Sequence, residues 1–334
     1  NGSGKTNILE GISLTEKGRG IRKDKINNLI NFKNRNKKFY ITSNFINENN
    51  EYNVQVFNSE QNLKKLNIND SYESETIKHF ESLFSIIYFL PEMERLFVTT
   101  PSYRRNFIDR LIFASDKTYN RIVNSYKKAI NERHFLIKND SYDEKWINNI
   151  ESNIVKFGSI IYKKRIQHLK QINEIIAKIN LQKHFSKEFV LDIEDIFLEK
   201  NKDIFDDEES YLKELREKRK ADFFLGGCSI GPHRSNIIGF NKKNNFNLNQ
   251  LSTGQQKTIV LLIIIAQSEY LIKNLNLTPV ILLDEICSHL DNLNRELLLY
   301  LIDELKVQAF MTGNEKKLFS FLSTKANYCN IVQQ

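Results

Sequence analysis

The ten residues Asn1-Gly-Ser-Gly-Lys-Thr-Asn-Ile-Leu-Glu10 restrict this chain more than any other stretch. Gly2-Ser-Gly4-Lys5-Thr6 has the form of the closing half of a phosphate-binding loop, G-x-x-x-x-G-K-[ST]. In such a loop successive backbone N–H groups turn inward on phosphate oxygens, a path that small residues such as Gly2 and Gly4 permit. Asn1, Gly2, Ser3, Gly4, Lys5, Thr6 and Asn7 are therefore candidate nucleotide contacts. Lys5 would reach the β and γ phosphates, and the Thr6 hydroxyl would hold Mg2+. Ile8, Leu9 and Ile12 follow as one apolar helix face, with the positive N-terminal end turned to the nucleotide. The first glycine of the motif and the buried strand that normally delivers the loop are not in the sequence. We therefore expect native N-terminal strands ahead of Asn1. Alone, the stretch also fits a capped surface helix with a glycine-rich lead-in, and the C-terminal third decides between the two.

A chain of 334 residues can bury a large core in one or two domains. Its 27% charged and 40% hydrophobic residues are ordinary for a soluble globular protein. The net charge of +8 suits an anionic partner, nucleic acid or a membrane surface, although an Asn-, Lys- and Ile-rich composition also inflates the basic count. Cys228, Cys287 and Cys329 are far apart, form no metal-type pair and fit a reducing cytosol. The longest apolar run, Ile259 to Ala266, is too short for a membrane span. We expect a soluble, cytoplasmic protein with no membrane partner.

After the first helix, Gly18 and Gly20 mark a basic loop. Phe39 to Ile46, Tyr52 to Phe57 and Leu63 to Ile68 then read as a small antiparallel meander. Ser85 to Leu90 is a short apolar strand ended by Pro91. Between Pro101 and Gly226 there is no proline and one glycine, Gly158, so this stretch is strongly helical. Ile147, Ile150, Ile154, Ile161, Ile166, Leu169 and Ile172 recur at helical spacing there, and Phe135, Tyr142 and Trp146 are expected to pack inside it. An irregular acidic patch is expected at Asp203 to Glu209. Beyond it, Asn236 to Phe240 and Phe246 to Leu248 suggest two short strands. Leu251 to Lys257 opens a very apolar helix that runs to about Lys273, Arg295 to Leu305 is amphipathic, and Val307 to Thr312 reads as a last strand.

Val280-Ile-Leu-Leu-Asp284-Glu285 has the form of a Walker B strand. Its apolar run suits burial in a parallel sheet, and Asp284 then emerges at the carboxyl end, where open α/β sheets bind ligands. The Asp284 carboxylate suits the outer coordination sphere of Mg2+, and Glu285 suits a general base that polarises the attacking water. A plain core strand ending in a solvated acidic turn is the competing reading. Leu251-Ser252-Thr253-Gly254-Gln255 resembles the signature loop of ABC-type ATPases, a second anion site made of a hydroxyl, a glycine N–H and a helix N-terminus. The bland alternative for Ser252 is an N-cap. In ABC architecture such a loop serves the partner's nucleotide. Ser288-His-Leu-Asp291 resembles the D-loop of the same interface, and Thr312 occupies the place of a γ-phosphate sensor.

With these four motifs in order, the chain resembles the RecF family of recombination mediators, ABC-type and SMC-like ATPases without a long coiled coil. The family-specific parts are Phe89-Leu-Pro91-Glu92, Pro101-Ser-Tyr-Arg104-Arg105-Asn-Phe-Ile-Asp109, Gly231-Pro-His-Arg234 and Ser252-Thr-Gly-Gln-Gln-Lys-Thr258. Ser235-Asn236 stands where the family usually has acidic residues, Lys257 replaces the usual arginine, and His289 takes a D-loop position that is commonly Glu. The resemblance implies an α/β fold: an ABC-type ATPase head, built on a P-loop sheet with an antiparallel β meander, over 1–115 and 225–334. A mainly helical arm would cover 116–224. It implies a slow, DNA-stimulated ATPase whose ATP-bound homodimer clamps duplex DNA near single-strand gaps. There, with RecO and RecR, it would help load the recombinase in DNA repair, replication restart and the SOS response to DNA damage. Candidate DNA contacts are Lys17, Arg19, Arg22, Lys23 and Lys25, and the cluster Lys163-Lys-Arg165, each also readable as solvated surface charge. The different-class alternative is an SMC-like scaffold whose ATP-driven dimer organises a protein partner without DNA specificity.

Overall fold

A computed structural model of the chain describes residues 4–16, 18–30, 39–47, 50–59, 63–139, 143–183, 188–200, 208–288, 290–322 and 326–331. They form two compact units, Asn1–Glu94 with Val260–Gln334, and Arg95–Ile259.

The first unit begins with helix α1 (Lys5–Ser13) and the short α2 (Ile26–Leu29). Gly4 caps α1 in the left-handed region (φ 90°) and its carbonyl accepts Asn7 N at 3.0 Å, so the helix starts at Lys5. Strands β1 (Tyr40–Asn47), β2 (Asn50–Asn58) and β3 (Lys64–Ile68) form the expected antiparallel meander, with Val54 opposite Ser43 and Ile68. Lys64 of β3 donates to the carbonyls of Leu14 and Glu16, supplying positive charge where α1 ends. Burial lowers the pKa of this lysine to about 8. Helix α3 (Ser74–Leu83) then leads into β4 (Phe84–Phe89).

The core of this unit is a parallel sheet in the order β4, β7 (Thr278–Leu283), β8 (Ala309–Met311). Every residue of β4 and Pro279 to Leu283 of β7 are buried, which explains why both strands read as continuous apolar runs. Helix α11 (Asn292–Glu304) connects β7 to β8. The last strand is shorter than the apolar stretch Val307 to Thr312 suggests, because only Ala309 to Met311 pair with β7.

The second unit is mainly helical. Helices α4 (Pro101–Ser115), α5 (Tyr119–Lys138) and the 40-residue α6 (Glu144–Lys183) carry most of it. Ile147, Ile150, Ile154, Ile161, Leu169 and Ile172 are buried, as their spacing predicts, while Ile166 is 38% exposed. Within the helical stretch lies one strand that periodicity did not show, β5 (Phe189–Glu194), paired antiparallel with β6 (Asn236–Asn241). Helices α7 (Ile196–Lys200), α8 (Glu208–Glu217) and α9 (Arg219–Leu225) follow β5. Glu208 and Glu209 open α8, and the rest of the expected acidic patch lies outside the described residues. Phe246 to Leu248 is not a strand. One bridge joins Asn247 to Phe240, and Leu248–Gln250 turns into a 3-10 helix in which the Asn247 side chain accepts Asn249 N.

Phe135 and Trp146 are exposed, at 63% and 56%, because Arg133, Leu136 and Ile137 take the inner face of α5 and Ile147 and Ile150 that of α6. Tyr142 lies outside the described residues. The cluster Lys163-Lys-Arg165 is not a free basic face. Arg165 is 4% exposed and forks onto both Asp109 oxygens at 2.8 Å, and Lys164 pairs with Asp116 at 2.7 Å. Helix α10 (Thr253–Leu275) is long and apolar enough to cross a membrane by length and composition, but 67% of its most apolar window is buried inside the protein, as in a core helix.

Candidate nucleotide site

The local pattern at the start of the chain and the pattern at the end of β7 meet in space. Thr6 Oγ1 donates to Asp284 Oδ2 at 2.9 Å, across 278 positions of sequence. The parallel register delivers Asp284: Phe89 lies beside Leu283, and Asp284 N donates to the Phe89 carbonyl at 3.0 Å. The carboxylate is therefore fixed at the carboxyl end of the sheet while remaining only 4% exposed. Its other oxygen, Oδ1, accepts the Thr312 hydroxyl at 2.5 Å. Thr312 is itself anchored through its N–H to the Leu283 carbonyl at 2.9 Å.

The Thr312 hydroxyl has a second function in this geometry. It accepts the backbone N–H of Glu285 at 3.0 Å, so one side chain bridges both acidic residues. Glu285 adopts φ 49°, the left-handed region, which a non-glycine residue occupies at a cost of about 1–3 kcal/mol. The sharp turn sets the two adjacent acidic residues apart: Asp284 accepts two hydroxyls, while Glu285 sits on a strained backbone. The turn continues to Ser288, whose hydroxyl lies 2.7 Å from the Glu285 carbonyl and 3.2 Å from Glu94 Oε1. Asp291 caps α11, accepting Asn294 N at 2.8 Å. His289 lies outside the described residues.

Lys5 Nζ donates to Asn314 Oδ1 at 2.8 Å. No motif singled out Asn314; its only sequence signal is that it stands two residues beyond Thr312. Asn1, Gly2 and Ser3 lie outside the described residues. Asn7 Oδ1 accepts the Arg22 guanidinium at 2.9 Å. Arg22 belongs to the basic loop, where Arg19, Arg22, Lys23 and Lys25 are exposed. That loop is docked on α1 by two backbone contacts: Ile21 N to Ser13 Oγ at 3.0 Å and Arg22 N to Glu10 Oε2 at 3.1 Å. Burial holds the Glu10 carboxyl above its ordinary pKa, against the opposing pull of the Arg22 N–H and charge. Lys17 lies outside the described residues.

In the second unit, Ser252 and Gln255 form a reciprocal capping box at the start of α10. Gln255 N donates to Ser252 Oγ at 3.3 Å, and Ser252 N to Gln255 Oε1 at 3.1 Å. Thr253 and Gly254 occupy the first turn, whose N–H groups make a helix N-terminus suited to an anion.

The block Pro101 to Asp109 binds the two residues that follow Gly231-Pro-His-Arg234, and Arg165 of α6 binds Pro232 within it. Arg104 Nε and Nη2 reach Asn236 Oδ1 at 3.1 and 2.6 Å, Arg105 Nη1 reaches the Ser235 carbonyl at 2.6 Å, and Arg165 Nη1 reaches the Pro232 carbonyl at 2.5 Å. The Asn236 carboxamide oxygen accepts both Arg104 nitrogens. His233 Nε2 faces the Cys228 carbonyl at 2.9 Å, and its Nδ1 faces Tyr126 Oη at 2.7 Å. A carbonyl only accepts, so Nε2 carries the proton and Nδ1 accepts the tyrosine hydroxyl. Burial lowers the His233 pKa to about 4 and keeps this ring neutral. The Gly-Pro-His-Arg block thus ties structure together rather than offering an acid or base. Among the described residues no group of three or more His, Cys, Asp or Glu side chains is placed to hold a metal ion.

The family model described as "RecF/RecN/SMC N terminal domain" matches residues 1–328. The chain is 30% identical over 341 residues to the DNA replication and repair protein RecF of Brucella suis biovar 1 (strain 1330), covering 99% of this chain and 86% of that protein. It is 31% identical over 319 residues to the same-named protein of Rickettsia typhi (strain ATCC VR-144 / Wilmington), covering 94% and 86%. Among solved structures it is similar to the recombination mediator protein RecF-ATPrS in the RecFOR pathway, with TM-score 0.79, 23% identity and coverage of 95% and 85%. It is similar also to an SMC head bound to the C-winged helix domain of ScpA, with TM-score 0.52, 17% identity and coverage of 96% and 81%. At these identities the structural likeness establishes the fold, that of an ABC-type, SMC-like ATPase head. The chain belongs to the RecF family of DNA replication and repair proteins, within the wider RecF/RecN/SMC group.

Proposed function

We propose that this protein is a cytoplasmic ATPase of recombinational repair and replication restart whose ATP-bound homodimer clamps duplex DNA near single-strand gaps. The observation that carries this reading is the contact of Thr6 with Asp284, joined through Thr312 to Glu285. A hydroxyl and a carboxylate at that separation are hard oxygen donors, the set that Mg2+ prefers. With Mg2+ bound beside the nucleotide, the ion would neutralise phosphate charge. Gly4, Lys5, Thr6 and Asn7 hold the phosphates together with Asn1, Gly2 and Ser3. Glu285 takes a proton from the attacking water.

Ser252, Thr253, Gly254 and Gln255 serve the nucleotide of the second copy, and Ser288 and Asp291 lie on the same interface. ATP then supplies much of that interface, and loss of the γ-phosphate releases it, a population shift driven by differential contacts. Arg19, Arg22, Lys23 and Lys25 contact DNA phosphates, and the Arg22–Asn7 bond joins that loop to the nucleotide helix. By its resemblance to the family, the protein acts with RecO and RecR in loading the recombinase.

Sedimentation with ATP tests this directly, using the unaltered chain, Lys5→Arg and Glu285→Gln, each with and without a gapped duplex. A dimer that needs ATP, persists in Glu285→Gln and tightens on DNA is expected. A monomer throughout refutes the clamp. A second reading, an SMC-like scaffold for a protein partner, is favoured by Phe223, Phe224 and Leu225 on α9, which are 43%, 76% and 67% exposed. ATP turnover that is indifferent to DNA would support that reading instead.

A further inference from the structure

Lysine is a flexible point charge, and its usefulness at a phosphate depends on where its long side chain rests. Lys5 Nζ spends one of its three donors on Asn314 Oδ1, at 2.8 Å, and two remain for phosphate oxygens. We infer that Asn314 is a positioning residue for Lys5: it fixes the ammonium without neutralising it. The inference rests on the nucleotide-site reading above.

Three observations support this role. First, the acceptor is a neutral carboxamide, so Lys5 keeps its full charge for the nucleotide; a carboxylate in the same place would compete with phosphate. Second, the path to Asn314 is held firmly. Thr312 is fixed through its N–H to the Leu283 carbonyl and through its hydroxyl to Asp284 and Glu285 N. Gly313 then runs directly under the Phe319 ring, so close that a Cβ there would lie 2.5 and 2.7 Å from Phe319 Cε2 and Cζ. The chain reaches Asn314 from an anchor on one side and beneath a buried ring on the other.

Third, the Thr312 hydroxyl is already engaged. It donates to Asp284 and accepts Glu285 N, so its one proton is committed inside the acidic turn. The polar group of this segment that reaches Lys5 is Asn314. A lysine oriented before the nucleotide arrives gives up less rotamer freedom on binding, which raises affinity without adding any contact to the ligand.

The test is a double-mutant cycle on ATP affinity, read by competition with a fluorescent ATP analogue in the presence of Mg2+. The chains are the unaltered protein, Asn314→Ala, Lys5→Ala and the pair. Asn314→Ala is expected to weaken ATP binding about tenfold in the unaltered background and to change it less than twofold in Lys5→Ala. Asn314→Asp keeps an acceptor but adds a charge that competes with phosphate, and is expected to weaken ATP more than Asn314→Ala does. A merely structural residue would give equal losses in both lysine backgrounds, which would overturn the inference. So would Asn314→Ala and Asn314→Asp both remaining within twofold of the unaltered chain. If the unaltered chain bound no ATP, the nucleotide-site reading itself would fall. If it binds ATP and only the cycle fails, the positioning role alone is lost.

Discussion

Replacing Thr312 by Val keeps the shape of the side chain and deletes the hydroxyl that bridges Asp284 and Glu285. Asp284 is 4% exposed and has two hydroxyl donors, Thr6 at 2.9 Å and Thr312 at 2.5 Å. Loss of a hydrogen bond to a charged, buried group costs about 1.5–3 kcal/mol. The Glu285 N–H, left without its acceptor, lies in a part-buried turn where water can replace the bond, so it adds little. We therefore expect a loss of about 2–3 kcal/mol. For a unit of this size each kcal/mol moves the melting temperature by about 2–4 °C, giving a fall of about 4–12 °C in the transition of the nucleotide-site unit.

Scanning calorimetry of the unaltered chain, Thr312→Val and Thr312→Ser measures this. The Ser variant keeps the hydroxyl and loses one methyl, a cost of about 1 kcal/mol. Turnover provides the second readout. Glu285 sits at φ 49° and its N–H is tethered to Thr312, so releasing that tether moves the proposed general base. A misplaced base lowers the turnover number by about 100-fold. A melting shift under 1 °C with unchanged turnover would refute the bridge. A loss for Ser with none for Val would show that the methyl, rather than the hydroxyl, matters.

Two further outcomes follow from the second unit. His233 has a folded pKa of about 4, below the ordinary value of 6.5, so the unfolded chain takes up its proton first as pH falls. Its contribution to stability is complete above about pH 6.5 and is lost as pH falls toward 4, by at most about 3 kcal/mol; urea unfolding of His233→Gln between pH 4 and 7 should show a flatter pH dependence than the unaltered chain. Arg133 is 1% exposed and holds Glu151 at 2.9 Å, Asp222 at 2.6 Å and the Leu215 carbonyl at 2.8 Å. Arg133→Met leaves buried carboxylates short of a partner and should cost about 3–5 kcal/mol, with Arg133→Met/Asp222→Leu recovering part of it in the same thermal scan.

What could be read from the sequence divides along a physical line. Candidate phosphate and metal contacts are read from residue types at fixed local spacings, so Gly4-Lys5-Thr6 and the apolar run ending in Asp284 stand out without any knowledge of the fold. The parallel sheet that joins them was also legible, because strands buried on both faces are written as unbroken apolar runs. Long-range partners were not. Arg165 looks like surface charge in its own neighbourhood, and only Asp109, 56 positions away, makes it a buried fork. Strand β5 sits within helix-rich sequence and exists because β6 pairs with it.

The same line separates the two residues of the last segment. Thr312 fell on a motif position and Asn314 did not, since a neutral acceptor beside a lysine needs no particular sequence around it. Spacing pointed to Thr312, whose hydroxyl lies in the acidic turn, and the geometry brings Asn314 to Lys5. Motifs report where a ligand imposes its own geometry on the chain. Residues that orient other residues are constrained only by the fold, and there a distance of 2.8 Å says more than any pattern.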